Sequence, residues 1–528
     1  MSSKESPPPS PEYTGVFDLP NAVGLTASER ILTQLCRRSF LSLWTLPNLH
    51  TDEGFRGGAG SAKEFVDVLL VFGDDVVFFS DKHITFSEEK PVEVSWPRWY
   101  KRAVLHSARQ LYGALHWLQR FPERIFLDPK CTRPLPVELP SPERARYHLV
   151  AVTRGTFDAC SKFYAGDLGT LPIRTDIVGK ADPGRPFSVG LLDPDEPFVH
   201  ILDEFALEVI LQEFDTTPDF IQYLNARERL LNDRSWVVIA NGEEQLVAAY
   251  LLNLDEDGEH WFTPPFKDDR QPSVLMFDES FYAGLRARPE YRAKKEADAP
   301  SYAWDEMIEQ FIKLGDPAIV GPQFSQGNQE TEKGLRLIAS ESRFRRRMLV
   351  REMGEALSKA AQNPGLRWWA RTIAAKEQPD RVYIFLIFPK SAKDDYEEYR
   401  KYRVSVLHAY CRCAKVKFPT AHTFIGIATD HPLKDYRGGS EDLFVYHSSV
   451  LTEEERNETE KYRQELGILA DNLELQDRHD DEFPRVRPTD NGSAIRSSAR
   501  DRAREEKRRR KAKRKMANES RRRNRRRK

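Results

Sequence analysis

The stretch KEFVDVLLVFGDDVVFFSDK, residues 63–82, sets one carboxylate inside an apolar run and closes on Ser80-Asp81-Lys82. Asp67 interrupts FVDVLLVF, where a buried carboxylate without a partner is costly. A metal ion or the ammonium of Lys82 would relieve that cost. Which groups can act together depends on the register of the hairpin. Side chains alternate between faces, and a slip of one residue turns every one of them over. With Gly73-Asp74 as a two-residue turn, Phe72 faces Asp75 and Asp67 faces Ser80. Asp67, Ser80 and Lys82 then share a face, with Asp81 opposite. A turn at Asp74-Asp75 keeps the same three together. A three-residue loop over 73–75 pairs Asp67 with Asp81 and turns Lys82 away. Gly at the first turn position suits a type II′ turn and favours the two-residue loop.

An Asp opening one strand, a short acidic-x-Lys motif closing the next and a Glu on the preceding helix resemble the PD-(D/E)XK nuclease superfamily, over roughly residues 20–155. The resemblance implies a restriction-endonuclease-like core of a helix, a mixed sheet and a covering helix, with carboxylates that hold Mg²⁺ (or Mn²⁺). By position it makes Glu29 the helix acid, Asp67 the central metal ligand, Asp81 a further ligand and Lys82 the residue beside the attacking water. SARQLYGALHW, 107–117, resembles the Gln-bearing helix of RecB-like members, with Gln110 as the matching residue. The implied reaction is phosphodiester hydrolysis on nucleic acid, DNA ahead of RNA. Such chemistry needs hard oxygen ligands for the metal, an acidified water and a cation beside the forming hydroxide. In the superfamily the acid usually stands two residues before the Lys, and Ser80 occupies that place here. The acid has moved to Asp81, which needs a bulge or a frayed strand end to reach the metal. Glu64 is a substitute acid if the chain before Phe65 is not strand. Asp67 and Lys82 are expected to share a face toward the helix of Glu29. The alternative is an inactive nuclease-fold module that binds nucleic acid or protein.

Each candidate also has a plain structural reading. Thr26 followed three residues on by Glu29 is a capping box, which explains Glu29 without catalysis. Asp81 and Lys82 could be solvated residues at a strand end. His422 and His431 have no further ligand at metal spacing, and GFRGGAGSAK lacks the ending of a P-loop. RFRRRMLVRE, 343–352, reads as a solvated helical face with pairs such as Glu341–Arg345 and Arg351–Glu355, or as a phosphate-binding ridge. Trp368 and Trp369 read as core. Cys36, Cys131, Cys160, Cys411 and Cys413 have no zinc spacing and read as reduced structural thiols.

The elements that must position these groups follow from periodicity. Residues 26–44 form a helix, and 96–121 a second one with a stripe of Tyr100, Val104, Ala108, Leu111, Leu115 and Leu118. YHLVAVT, 147–153, is a strand. Farther on, 200–231 reads as two helices split at Thr217-Pro218, and 235–253 as a hairpin turning at Asn241-Gly242. The polar stretch 290–299 reads as a surface loop and 329–375 as helical. Strands at 382–389, 422–430 and 442–447, with helices at 392–417 and 452–469, suggest a small α/β layer.

The expected fold class is therefore α/β: a nuclease-like domain over 21–190, a mixed α+β middle region over 191–328 and an α/β region over 329–475. A disordered leader (1–20) and a disordered basic tail (476–528) would flank them. The chain has 528 residues and a net charge of −1, but residues 500–528 carry 18 Lys/Arg against 4 Asp/Glu. An acidic body thus bears a basic tail, for which nucleic acid is the obvious counter-charge. No apolar run reaches the ~20 residues of a membrane span. The polar, Pro-rich start lacks a signal peptide's apolar segment. The expected location is cytoplasmic, with no membrane partner.

Overall fold

The computed structural model describes residues 17, 19, 24–56, 58, 60–166, 170–254, 259–262, 274–314, 328–363, 365–376, 378–389, 395–430, 441–448, 450–471 and 476–486. Of the expected disordered leader only Phe17 and Leu19 are described, and both pack on the core instead; the tail from Arg500 onward and His431 lie outside these residues. Among the described residues the architecture is mixed α/β, with three larger sheets and a small one.

The first sheet carries five strands in chain order: Thr45–Pro47, Val68–Phe72, Asp75–His83, Arg146–Arg154 and Val199–Asp203. The second is antiparallel to its two neighbours, and the last three run parallel. Parallel strands need covering on both faces, which is why VVFF and LVAV are apolar without alternation. The helix Ala27–Phe40 covers one face: the rings of Phe40 and Phe79 stack at 6.4 Å. It starts on the expected capping box, with Thr26 and Glu29 bonded reciprocally. It ends at Phe40, earlier than the expected Trp44, because the chain turns into the unforeseen strand Thr45–Pro47. A second helical run from Val92 to Arg120, including a π-helical segment Lys101–Leu105, packs on Asp75–His83 and Arg146–Arg154. Phe72 pairs with Asp75 across a two-residue turn, and φ is +63° at Gly73, as a type II′ turn requires.

Several expectations are corrected. The first sheet does not close near residue 190, because Val199–Asp203 joins it in parallel with Arg146–Arg154. The hairpin at 235–253 is instead the strand Val237–Ala240 followed by the helix Glu243–Leu252. That helix is buried from Glu243 to Leu251, so it has no polar face to betray its period. Gly242, with φ +113°, makes the turn into it: a Cβ there would lie 2.7 Å from the Thr170 hydroxyl. The polar stretch 290–299 lies in the helix Pro289–Asp298, where Lys294 and Asp298 form a buried pair at 2.7 Å. Within 329–375, helices Asn328–Ala339 and Arg343–Gln362 give way to the strand Trp369–Ala374. That strand edges the third sheet, with Arg381–Phe388, Thr423–Asp430 and Glu441–His447 following in order. One contiguous apolar core runs from Phe17 to Val445 and joins the three regions.

The chain after Leu475 was expected to have no fold, yet 476–486 crosses the body as an extended strap. Phe483 packs on the core, and Arg347 donates to the carbonyls of Asp481 and Glu482. Burial pushes the Glu482 carboxyl up, but His260 at 2.8 Å and Lys294 at 3.1 Å hold it down at about 2. A depressed carboxyl contributes stability that is present above its unfolded pKa and lost as pH falls toward the folded one. Glu482→Gln should therefore cost about 3 kcal/mol near neutral pH. Denaturant titrations of parent and variant should converge between pH 4.5 and about 2. A gap that stays constant over that range would contradict this role.

Candidate functional site

The parallel strands of the first sheet end at one edge, where Asp81, Lys82, Arg154, Asp203 and Glu204 collect and Asp67 enters from the neighbouring strand. Open α/β sheets place their ligand sites at such carboxyl ends. The hairpin register puts Val68 opposite Phe79 and ends there, with Asp67 in a bend just before it. Phe79 faces the opening helix through Phe40, so Asp81 faces that helix too, while Ser80 and Lys82 face away.

This arrangement revises the expected one. Lys82 falls on the side away from the helix of Glu29, whereas Asp67, outside the ladder, feels the charges of both Glu29 and Lys82. Asp81 is the residue turned toward that helix. It sits in regular strand opposite Val152, not at a bulge or a frayed end.

Asp67 lies in a bend just before its strand. Its Oδ2 accepts the Asp81 N–H at 2.5 Å, so the carboxylate continues the ladder where the backbone leaves it. Oδ1 accepts no hydrogen bond among the described residues. Burial pushes the Asp67 carboxyl up to about 7; the carboxylates of Glu64 and Glu29 add to this, against the Asp81 N–H and the charge of Lys82. Glu64 does lie in a strand, Lys63–Glu64, but that strand belongs to the small sheet with His50–Thr51 and leaves the side chain exposed. Lys82 is half-buried and makes no hydrogen bond or ion pair among the described residues.

The other expected residues are engaged elsewhere. Glu29 accepts from the Leu25 N–H at 2.8 Å and from the Thr26 hydroxyl at 2.7 Å, as a cap. Asp81 is buried and accepts from Arg154 Nε at 2.8 and 3.0 Å. Burial raises its carboxyl more than Arg154 lowers it. Gln110 stands exposed on the helix His106–Arg120. The ligand atoms of Glu29, Asp67 and Asp81 do not gather within metal-sharing distance of one another.

Sequence reading missed Arg154, Asp203 and Glu204. Asp203 caps the helix Glu204–Glu213 through the Phe205 and Ala206 N–H groups and accepts from Leu171 N–H at 2.6 Å. Burial pushes Asp203 up to about 6 and Glu204 up to about 7. The edge is thus rich in carboxyls, and Arg154 is the buried guanidinium paired with one of them. The only available signal was Arg154 itself, directly after the strand YHLVAVT.

The remaining motifs resolve as packing. Arg343, Arg346 and Arg347 are buried, bonded to Asp215, Asp305 and Asp298, so 343–352 is neither a solvated face nor a phosphate ridge. Glu341 and Arg345 pair at 3.5 Å, whereas Glu355 is met by Arg371 and Arg478. Trp368 stacks on Phe388 and donates to the Tyr410 hydroxyl at 2.9 Å. All five cysteines are free thiols. No helix among the described residues is long and apolar enough to cross a membrane. Comparison with protein-family models, curated proteins and solved structures finds no match.

Removing one partner of a buried pair strands the other's charge, which typically costs about 3–5 kcal/mol. Arg154→Leu should lose that much in chemical denaturation, and Arg154→Leu/Asp81→Leu should regain most of it. Equal losses in the single and double variants would mean that the pair does not neutralise itself.

Proposed function

We propose that the first sheet and its two flanking helices form a metal-dependent nuclease module of the PD-(D/E)XK type, which cleaves phosphodiester bonds of nucleic acid. The observation that carries this reading is the carboxyl of Asp67. It is raised to about 7, flanked by the carboxylates of Glu64 and Glu29, and left with one oxygen unbonded and the Lys82 charge nearby. The helix, mixed sheet and covering helix support the same reading, since the family resemblance implies that order.

The residues fit a hard dication only in part. Asp67 and Glu64 would hold Mg²⁺ or Mn²⁺, because concentrated negative charge on oxygen is what such ions neutralise. Asp81 does not fit, its carboxylate being taken by Arg154, and Glu29 is spent on its cap. When bound, the metal supplies charge neutralisation and an acidified water. With the ion bound, Asp67 would hold it through its unbonded oxygen and Lys82 would place a positive charge beside the water.

The saturation of Asp81 by Arg154 favours a second reading, an inactive module that holds nucleic acid or protein without cutting it. Plasmid, single-stranded DNA and RNA offered to the full chain with Mg²⁺ or Mn²⁺ separate the two. The nuclease reading expects cleavage that Asp67→Asn abolishes and that Lys82→Ala lowers by about 10²–10³-fold, with nucleic-acid binding and fold retained. No cutting of any substrate, with retention of nucleic acid, would leave the binding module. Cleavage insensitive to both substitutions would place the chemistry elsewhere.

A further inference from the structure

At the opposite end of the same strands, two histidine ring nitrogens are buried without a hydrogen-bond partner: Nδ1 of His148 and Nε2 of His200. The parallel ladder sets His200 opposite Val150, so His148, two residues earlier, points to the same face. It is the face of Phe79, against which Phe220 of the helix Thr217–Asn232 stacks at 6.1 Å. That helix also delivers Glu228, whose Oε2 lies 3.9 Å from His200 Nε2. One ligand atom from each of His148, His200 and Glu228 lies within 4.8 Å of the other two.

The surroundings orient His148 for ligation. Its Nε2 stands 3.1 Å from Asp75 Oδ1, and Asp75 is gripped by Arg146 at 2.8 and 2.5 Å. A carboxylate can only accept, so the ring proton sits on Nε2 and the unpartnered Nδ1 keeps its lone pair for a ligand. Metal-ligating histidines are commonly held this way. His200 is less prepared. Arg227 Nη1 contacts its Nδ1 at 3.3 Å and can only donate, so the ring proton rests on Nε2. Ligation moves that proton to Nδ1, where it faces the Arg227 Nη1–H, so the pair must separate while Arg227 keeps its bonds to Glu243 at 2.8, 2.9 and 3.1 Å.

We propose that His148, His200 and Glu228 bind a single first-row transition-metal dication, Zn²⁺ above all, with a fourth position open beside Glu228. Two imidazoles and one carboxylate suit such an ion, whereas Mg²⁺ prefers all-oxygen sites. The side chain of Glu228 is 36% exposed, so this edge admits the ion while both rings stay dry. Tetrahedral coordination brings ligand atoms to about 3.4 Å apart, and the flexible Glu228 side chain supplies the contraction. The site is independent of the one at Asp67: Asp75 and Asp81 lie at opposite ends of their strand, about 20 Å apart.

The test uses the full chain, stripped with a chelator and titrated calorimetrically with Zn²⁺ in excess Mg²⁺, and separately with Co²⁺ in the visible. The expected result is one equivalent of Zn²⁺ and the intense absorption of four-coordinate Co²⁺. Glu228→Gln, at a half-exposed position, should weaken binding at least tenfold and change the Co²⁺ spectrum. Asp75→Asn should weaken it by about 10–100-fold through His148. Asp67→Asn should leave it unchanged. Circular dichroism checks that each variant is folded. Failure to take up stoichiometric Zn²⁺, or uptake by folded Glu228→Gln and His148→Gln equal to the parent's, would overturn the proposal.

Discussion

Nine consecutive residue pairs join Asp75–His83 to Arg146–Arg154, from Asp75 opposite Arg146 to His83 opposite Arg154. Both chemical ends of the first sheet depend on this ladder. At one end it sets Asp75 beside Arg146 and His148; at the other it sets Asp81 beside Arg154 and leaves Lys82 on the reverse face. A slip of one residue would turn Lys82 toward the opening helix and pull Asp81 from its guanidinium. The apolar residues between the ends, buried on both faces, make such a slip costly.

The same alternation explains why the two acids of the hairpin have different fates. Asp81 points into the layer under the opening helix, where an unpaired carboxylate is untenable and Arg154 neutralises it. Asp67 lies outside the regular strand. It keeps one oxygen on the Asp81 N–H and the other unbonded, among further carboxyls. The acid displaced from its usual motif position, Asp81, is closed off by Arg154, and Asp67, the central ligand that the resemblance implies, is the one left with an unbonded oxygen. Elsewhere the chain repeats the buried solution: Arg227 with Glu243, and Arg403 with Asp430 and Asp442. Arg227 grips Glu243 with the fork of Nε and Nη2, whereas Arg154 reaches both oxygens of Asp81 through Nε.

Much of this was legible in the sequence where a short-range rule decides the outcome. Gly73 fixed the turn and with it the register of the hairpin; Thr26 and Glu29 fixed the helix start; the apolar stripe fixed the long covering helix. Reading failed where the deciding partner is far away or where burial erases the pattern. The Glu243–Leu252 helix is buried all round and resembled a strand pair. The arginines after Ser342 looked solvated, because the Asp215 partner of Arg343 stands 128 residues off. The pairing of Arg154 with Asp81 spans 73 residues and left no local trace. His148 and His200 meet only through the parallel register, which no motif spacing encodes.

The central claim is that the cation-competent acid of the first sheet is Asp67 and not Asp81. Anomalous diffraction from crystals of the full chain soaked in Mn²⁺ locates the ion directly. The expected result is a peak beside Asp67 and Glu64, with the Arg154–Asp81 pair undisturbed. A peak on Asp81 with Arg154 displaced, or no peak at this edge of the sheet, would contradict it.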